Sequence, residues 1–212
     1  MYPKVIPNQP FREKPVGARA KLLEAGVALV REQGFAATSL DQLCQAAGVT
    51  KGAFFHHFSS KEALGVALAN YWSASTSAFF AAAPFHHLDD PLERVLGYID
   101  LRIALISGPV ESFSCVAGTM VQEAFRSSDA IRKACSASIL GNARALEDDL
   151  AAAIAHCGAS GVTAEGLARH AQTVIQGAFV LAKAGGGAEV AAESLDHLAR
   201  YLELLFTPPK GD

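Results

Sequence analysis

Apolar residues recur at helical spacing along nearly the whole chain, and no stretch of useful length alternates apolar with polar. Leu40, Leu43 and Ala47 fall at i, i+3 and i+7, one apolar face of a short helix. Ser39 followed three residues on by Gln42 is a capping-box pair, whose hydroxyl and amide satisfy the free amides of a helix start. A helix from Leu40 to Ala47 is therefore predicted. Gly48 supplies the permissive backbone of a sharp turn, and Val49 plugs that turn from inside. Thr50 is the next N-cap, opening a helix from Lys51 to His57 on which Phe54 and Phe58 face the core and Lys51, Ala53, Phe55 and His56 point outward. Ser59 with Glu62 repeats the capping box and begins a longer helix. Two short capped helices joined by a glycine turn form a helix-turn-helix, the arrangement that lets one helix lie across another and project into a DNA groove.

The same reading continues to the C-terminus and predicts an all-α chain of about nine helices. One runs from Lys61 to about Ala82 and stops before Pro84. Asp89-Asp90-Pro91 caps another that reaches about Ile106, with proline in its first turn. A short helix spans about Cys115 to Phe125. Ser127-Ser128-Asp129 then starts a helix expected to continue to about Cys157, where Gly158 stops it. Thr163 opens a helix to Ala184, Gly185-Gly186-Gly187 closes it, and Glu189 to Phe206 forms the last. Four pieces are expected: a flexible arm over residues 1–14, the helix-turn-helix lobe over 15–62, a helical body over 63–207, and a tail over 208–212.

Charge sharpens this division. The whole chain nets −3, but residues 1–65 hold eight Lys/Arg against five Asp/Glu, leaving a +3 lobe on a −6 body. Positive charge gathered at one end is the footprint of a DNA-binding head, and a small one predicts weak non-specific binding that depends on pairing two heads. Arg12, Lys14, Arg19 and Lys21 form a loose basic stretch that would reach DNA backbone or minor groove, or else stay solvated. The starts of the helices at Ser39, Thr50 and Ser60 carry unpaired N–H groups and partial positive charge suited to phosphate, reinforced by Lys51 and Lys61. Half of the 212 residues are hydrophobic, enough for a sizeable core. The N-terminus lacks a secretory apolar region and no apolar run reaches a membrane span, so a cytoplasmic chain without membrane contact is expected. Cys44, Cys115, Cys135 and Cys157 have no paired spacing for a zinc site or a disulfide framework.

Residues 17 to 65 resemble the DNA-binding domain of the TetR family of transcriptional regulators. The match runs in order and spacing through Leu22-Leu23-Glu24-Ala25-Gly26-Val27-Ala28-Leu29-Val30, Gly34-Phe35, Thr38-Ser39 and Ala46-Ala47-Gly48-Val49-Thr50-Lys51-Gly52 to His56-His57-Phe58-Ser59-Ser60-Lys61-Glu62. The resemblance implies phosphate contacts from Thr38, Ser39, Thr50 and Lys61, which fix register without reading sequence. It implies that Lys51, Ala53 and His56 lie over the major groove, with Gly52 small enough for close approach. Where the family usually has Thr and Tyr, this chain has Ala53 and Phe55, so two hydroxyls are missing. Phe55 is left an apolar contact with a sugar or a thymine methyl, or half-buried packing. His57 is expected to pack at the domain junction.

The resemblance further implies a homodimer, a palindromic double-stranded DNA operator, and repression relieved when a small-molecule effector enters the helical body and moves the heads off operator spacing. The expected dimer contact is the last two helices, through Val174, Gly177, Ala178, Leu181 and Ala182 on one and Leu195, Leu198, Leu202 and Leu205 on the other, with closure of the monomer core as the alternative. Candidate pocket residues are Tyr98, Arg102, Phe113, Cys115, Met120 and Thr173. Ser114 to Glu123 resembles the short helix of a subgroup with a Cys-x-x-Gly-x-x-x-x-Glu pattern. Cys115, expected at a helix start where the dipole lowers a thiol pKa and within reach of Lys183, supports a second reading as a sensor of oxidants or electrophiles; the other reading is a buried inert thiol. His86-His87 beside Asp89-Asp90 has metal-ligand residue types, but adjacent positions rarely point at one ion. With no nucleophile elbow, phosphate loop or dinucleotide fingerprint, no catalysis and no cofactor are expected. A helical interaction module that never touches DNA is the alternative of a different class.

Overall fold

A computed structural model describes residues 16–207. The basic residues Arg12 and Lys14, the rest of the expected arm and the tail over 208–212 lie outside the described residues. The described chain is all helix and loop: α1 (Ala18–Gln33), α2 (Leu40–Ala47), α3 (Lys51–His57), α4 (Lys61–Ala81), α5 (Pro91–Leu105), α6 (Val116–Ala124), α7 (Asp129–Arg144), α8 (Glu147–Cys157), α9 (Ala164–Leu181) and α10 (Gly187–Phe206).

Local chemistry explains most boundaries. The Ser39 hydroxyl accepts the Gln42 N–H while the Gln42 amide oxygen accepts the Ser39 N–H, completing the expected box at α2. Gly48 ends α2 at φ 62°, in the left-handed region that favours glycine. Asp90 caps α5 through the Leu92 N–H at 2.7 Å, with Pro91 in the first turn. Thr163 caps α9 through the Gly166 N–H.

Three boundaries differ from the sequence reading. α9 ends at Leu181, short of Ala184, and passes into a π-helical turn over Ala182–Gly186. α4 is capped by Ser60, whose hydroxyl accepts the Ala63 N–H at 3.0 Å, and Glu62 turns instead to the Ser128 hydroxyl at the start of α7. The helix expected over 129–157 is two helices, separated at Ala145 and Leu146. Leu146 is buried, its N–H turns back to Ala143, and the carboxylates of Glu147, Asp148 and Asp149 favour a new positive helix start there.

The described residues form two compact units. One contains residues 16–79 and 114–139, so the helix-turn-helix shares its core with α6 and the first part of α7. Leu22, Leu23, Val27 and Val30 of α1 are buried, and α1 packs on α2, α3 and α6. The other unit contains residues 80–113 and 140–207. There α5 packs on α8 and α10, and α9 packs on α8 and α10. Arg94 of α5 pairs with Asp149 of α8 at 2.6 Å and donates to the Leu88 carbonyl at 2.9 Å, tying the loop before α5 to both helices. No helix of the described residues is long and apolar enough to cross a membrane.

Candidate nucleic-acid interface

α3 is a short helix with one face fully committed. Phe54 and Phe58 are buried, their rings 5.7 Å apart, and they fix how α3 rolls against the lobe. Thr50 caps its start through the Ala53 N–H at 3.1 Å. That roll leaves Lys51, Gly52, Phe55, His56 and His57 exposed and Ala53 half-buried. Phe55 stands 54% exposed, edge-on to Phe54, so it is an outward group and not packing. His57, expected against the domain junction, also faces solvent and stacks edgewise on His56 at 4.9 Å.

The electrostatics of this face are set by one pair. Lys51 Nζ lies 2.6 Å from Asp41 Oδ1 of α2, with both side chains largely exposed. The hydrogen bond to the Asp41 carboxylate holds the Lys51 pKa above the ordinary lysine value. Asp41 was not among the residues expected from sequence, since the pairing depends on how α2 and α3 cross.

Thr38 and Lys61 are positioned inside the lobe. Thr38 is buried; its hydroxyl donates to the Gly34 carbonyl at 2.7 Å and accepts from the Gln33 amide. Lys61 donates to the Ala36 carbonyl at 3.1 Å, with its ammonium 4.9 Å from the Phe35 ring centroid. Partial burial pushes the Lys61 pKa down. Of the four expected phosphate contacts, Ser39 and Thr50 are the exposed ones.

The pocket candidates fall in different places. In the unit built on α5, Tyr98 is buried and its hydroxyl accepts from Arg102 Nε at 3.0 Å and from a terminal guanidinium nitrogen at 2.7 Å. The guanidinium also stacks on Phe80, 4.0 Å from the ring centroid. Phe113 is buried against Phe179, whereas Thr173 is exposed and hydrogen-bonded to its own helix. Cys115 and Met120 belong to the other unit. Cys115 is buried and caps α6, its Sγ accepting the Gly118 N–H at 3.3 Å. Among the described residues, no group of three or more His, Cys, Asp and Glu side chains is placed to hold a metal ion.

The expected dimer stripe divides. Leu195, Leu198 and Leu202 are at most 3% exposed, buried on the face that α10 turns to α9 and α5 of its own chain, and Ala178 and Ala182 are buried as well. These residues close the core of the unit. Leu181 and Gly177 are exposed, and Val174 and Leu205 are half-buried. Val180, Tyr201 and Leu204 are further exposed apolar residues on the same two helices, Leu204 at 78%. Leu204 lies two positions, about 200° of helix rotation, from the buried Leu202, and that spacing was the available signal for its outward face.

An all-helical chain whose first lobe is a capped, aromatic-anchored α2–α3 pair belongs to the helix-turn-helix class. Residues 22–68 match the family model described as bacterial regulatory proteins, tetR family. The transcriptional regulator AcuR of Cereibacter sphaeroides is 35% identical over 72 residues, 31% of this chain and 33% of AcuR. The HTH-type transcriptional repressor NemR of Escherichia coli K12 is 46% identical over 50 residues, 24% of this chain and 25% of NemR. The crystal structure of reduced NemR superposes with a TM-score of 0.76 at 23% identity, covering 92% of this chain and all of that one. A TetR-family regulator from Agrobacterium tumefaciens superposes with a TM-score of 0.78 at 22% identity, covering 89% and 98%. Over residues 22–68 the chain is thus similar to the DNA-binding domain of the tetR family. Its sequence matches span about a third or less of these curated relatives, and the structural likenesses extend over most of the chain and show its fold.

Proposed function

We propose that this chain is a homodimeric transcriptional repressor that lays α3 in the major groove of an operator and is released when a small molecule binds the unit of α5 and α8–α10. The observation that carries the reading is α3 itself: Phe54 and Phe58 lock it, and the locked roll turns Lys51, Gly52, Phe55 and His56 outward together. Ser39 and Thr50 supply backbone-positioning contacts beside it, and Phe55 supplies an apolar contact for a thymine methyl. In the free chain the Lys51 ammonium is paired with Asp41, which DNA phosphate would have to displace. The subunits pair through the exposed residues of α9 and α10, with Leu181 and Gly177 joined by Val180, Tyr201 and Leu204. Twofold symmetry then sets the two α3 helices about 34–36 Å apart, one turn of DNA, and makes the operator palindromic. Tyr98, Arg102 and Phe113 line the effector site, and the protein acts in the cytoplasm.

In vitro selection from a random duplex pool, followed by fluorescence anisotropy at several salt concentrations, tests this. A palindromic consensus with half-sites one turn apart, bound by a dimer, is the expected result. Absence of enrichment, or binding by a monomer, overturns it and leaves a helical interaction module.

A further inference from the structure

We propose that Glu123, on α6 and outside the helix-turn-helix, is a positioning residue for DNA binding: its carboxylate holds the backbone of Ala36 and so sets the start of α2. This rests on the DNA-binding reading above. Ala36 lies in the six-residue loop from Gly34 to Ser39 that delivers the chain from α1 into α2. Its N–H donates to Glu123 Oε2 at 2.8 Å across 87 residues of sequence. Its carbonyl accepts from Lys61 Nζ of α4 at 3.1 Å. One residue is thus gripped by an anion on its donor and a cation on its acceptor, and charge-assisted hydrogen bonds are the strong ones.

The surroundings are shaped for this grip. Gly34 adopts φ 90°, and a Cβ built there would lie 2.2 Å from Glu123 Oε1, so the carboxylate occupies space that only glycine leaves open. Thr38 closes the far end of the loop through the Gly34 carbonyl, and Ser39 immediately caps α2. The Lys61 ammonium is further held over Phe35. With Ala36 fixed, α2 has a fixed origin, and Asp41 on its first turn is the residue that pairs with Lys51 of α3. Lys61, whose side chain would otherwise be available to phosphate, is thereby used to orient the lobe.

The sign of the effect separates this role from a plain charge effect. Removing a carboxylate from a DNA-binding lobe should by itself tighten binding to a polyanion. Loss of the Ala36 grip should weaken it. The probe is the duplex most enriched by the wild-type chain in the selection described above, so a failed selection sinks the DNA-binding reading and not this one. Glu123→Gln is expected to bind that duplex about tenfold more weakly, ~1.4 kcal/mol, with the slope of log K against log salt unchanged because no phosphate contact is lost. Amide exchange at Ala36 should accelerate while the buried amides of α1 keep their protection. Equal or tighter binding, an altered salt slope, or unchanged exchange at Ala36 would each overturn the assignment. If Glu123→Gln does not fold, Glu123→Asp, which keeps the charge and withdraws the carboxylate by one methylene, is read by the same measurements.

Discussion

Adding a single methyl at Gly52 should strengthen the fold and weaken DNA binding together. Gly52 lies in the first turn of α3, is exposed, and has no positive φ. A Cβ built on it meets only Thr50 Oγ1 at 3.7 Å, an ordinary van der Waals contact. Nothing in the folded chain therefore requires glycine here, although glycine within a helix costs roughly 0.5–1 kcal/mol relative to alanine. Gly52→Ala should recover up to that amount, raising the melting midpoint by about 1–4 °C for a chain of this size.

Bound DNA reverses the sign. If the α3 backbone approaches the groove floor at this position, the methyl is driven into a packed contact, at a cost of about 1–3 kcal/mol per insertion. A dimer carries two, so affinity for the selected duplex should fall at least tenfold. Thermal melting by circular dichroism and anisotropy titration on the same preparation give both quantities. A variant that is more stable and binds equally well would refute the placement of Gly52 against DNA. One that is less stable would refute the reading of its environment.

Three further outcomes follow from the described geometry. Asp41→Asn releases the Lys51 ammonium to a phosphate, so stability should change by no more than about 1 kcal/mol for an exposed pair, while the log K against log salt slope steepens by about 0.9 per head; an unchanged slope would show that Lys51 does not reach the backbone. Leu204→Glu should dissociate dimers in sedimentation without lowering the stability of the subunit, whereas Leu198→Ala should cost about 2–5 kcal/mol of folding stability; the reverse pattern would return the interface to the buried stripe. Burial, with the neighbouring Cys115 contributing, pushes the Cys135 thiol up from 9 to about 12. At pH 8 its thiolate population is then about one in ten thousand, and alkylation should lag far behind the partly exposed Cys157; because the folded pKa is raised, this thiol's stabilisation is intact below pH 9 and fades toward pH 12. Comparable labelling of both thiols in the native state would contradict the burial.

The parts of this fold legible in sequence are those fixed over three or four residues. The Ser39–Gln42 box, the Thr50 cap, Gly48 and Asp90-Pro91 are local hydrogen-bond and backbone constraints, and each forms where its spacing places it. Phe54 and Phe58 were legible for the same reason, since helical spacing alone puts them on one face. Ser59 against Ser60 was ambiguous because two adjacent hydroxyls offer alternative caps, and the choice of Ser60 leaves Glu62 for Ser128, a contact 66 residues away. The α7–α8 break has no glycine or proline at its centre; its signal is the acidic run after it. Leu195, Leu198 and Leu202 show the limit of an amphipathic stripe, whose periodicity gives the buried face of a helix but not whether its own chain or a second copy covers it. Glu123 stood out in the Cys-x-x-Gly-x-x-x-x-Glu pattern, but its role was not legible, because its partner is a backbone amide with no side-chain signature.

The cations of the described lobe bear on why the proposed reading calls for two copies. Lys61 is bonded to the Ala36 carbonyl, Lys51 to Asp41, Arg19 sits over Phe58 at 5.6 Å and Arg31 over Trp72 at 5.3 Å. Positive charge in this lobe is therefore largely spent on its own architecture, and each phosphate left unneutralised removes about 0.9 from the salt slope that drives non-specific attraction. On the proposed reading, a single head of this kind would bind through shape and a few contacts around α3. Coupling it to a second makes the second contact intramolecular, with an effective concentration set by the rigid separation of the two heads. In the proposed dimer, the exposed apolar residues of α9 and α10 are therefore expected to matter to DNA affinity as much as α3, and Leu204→Glu should weaken operator binding as well as pairing.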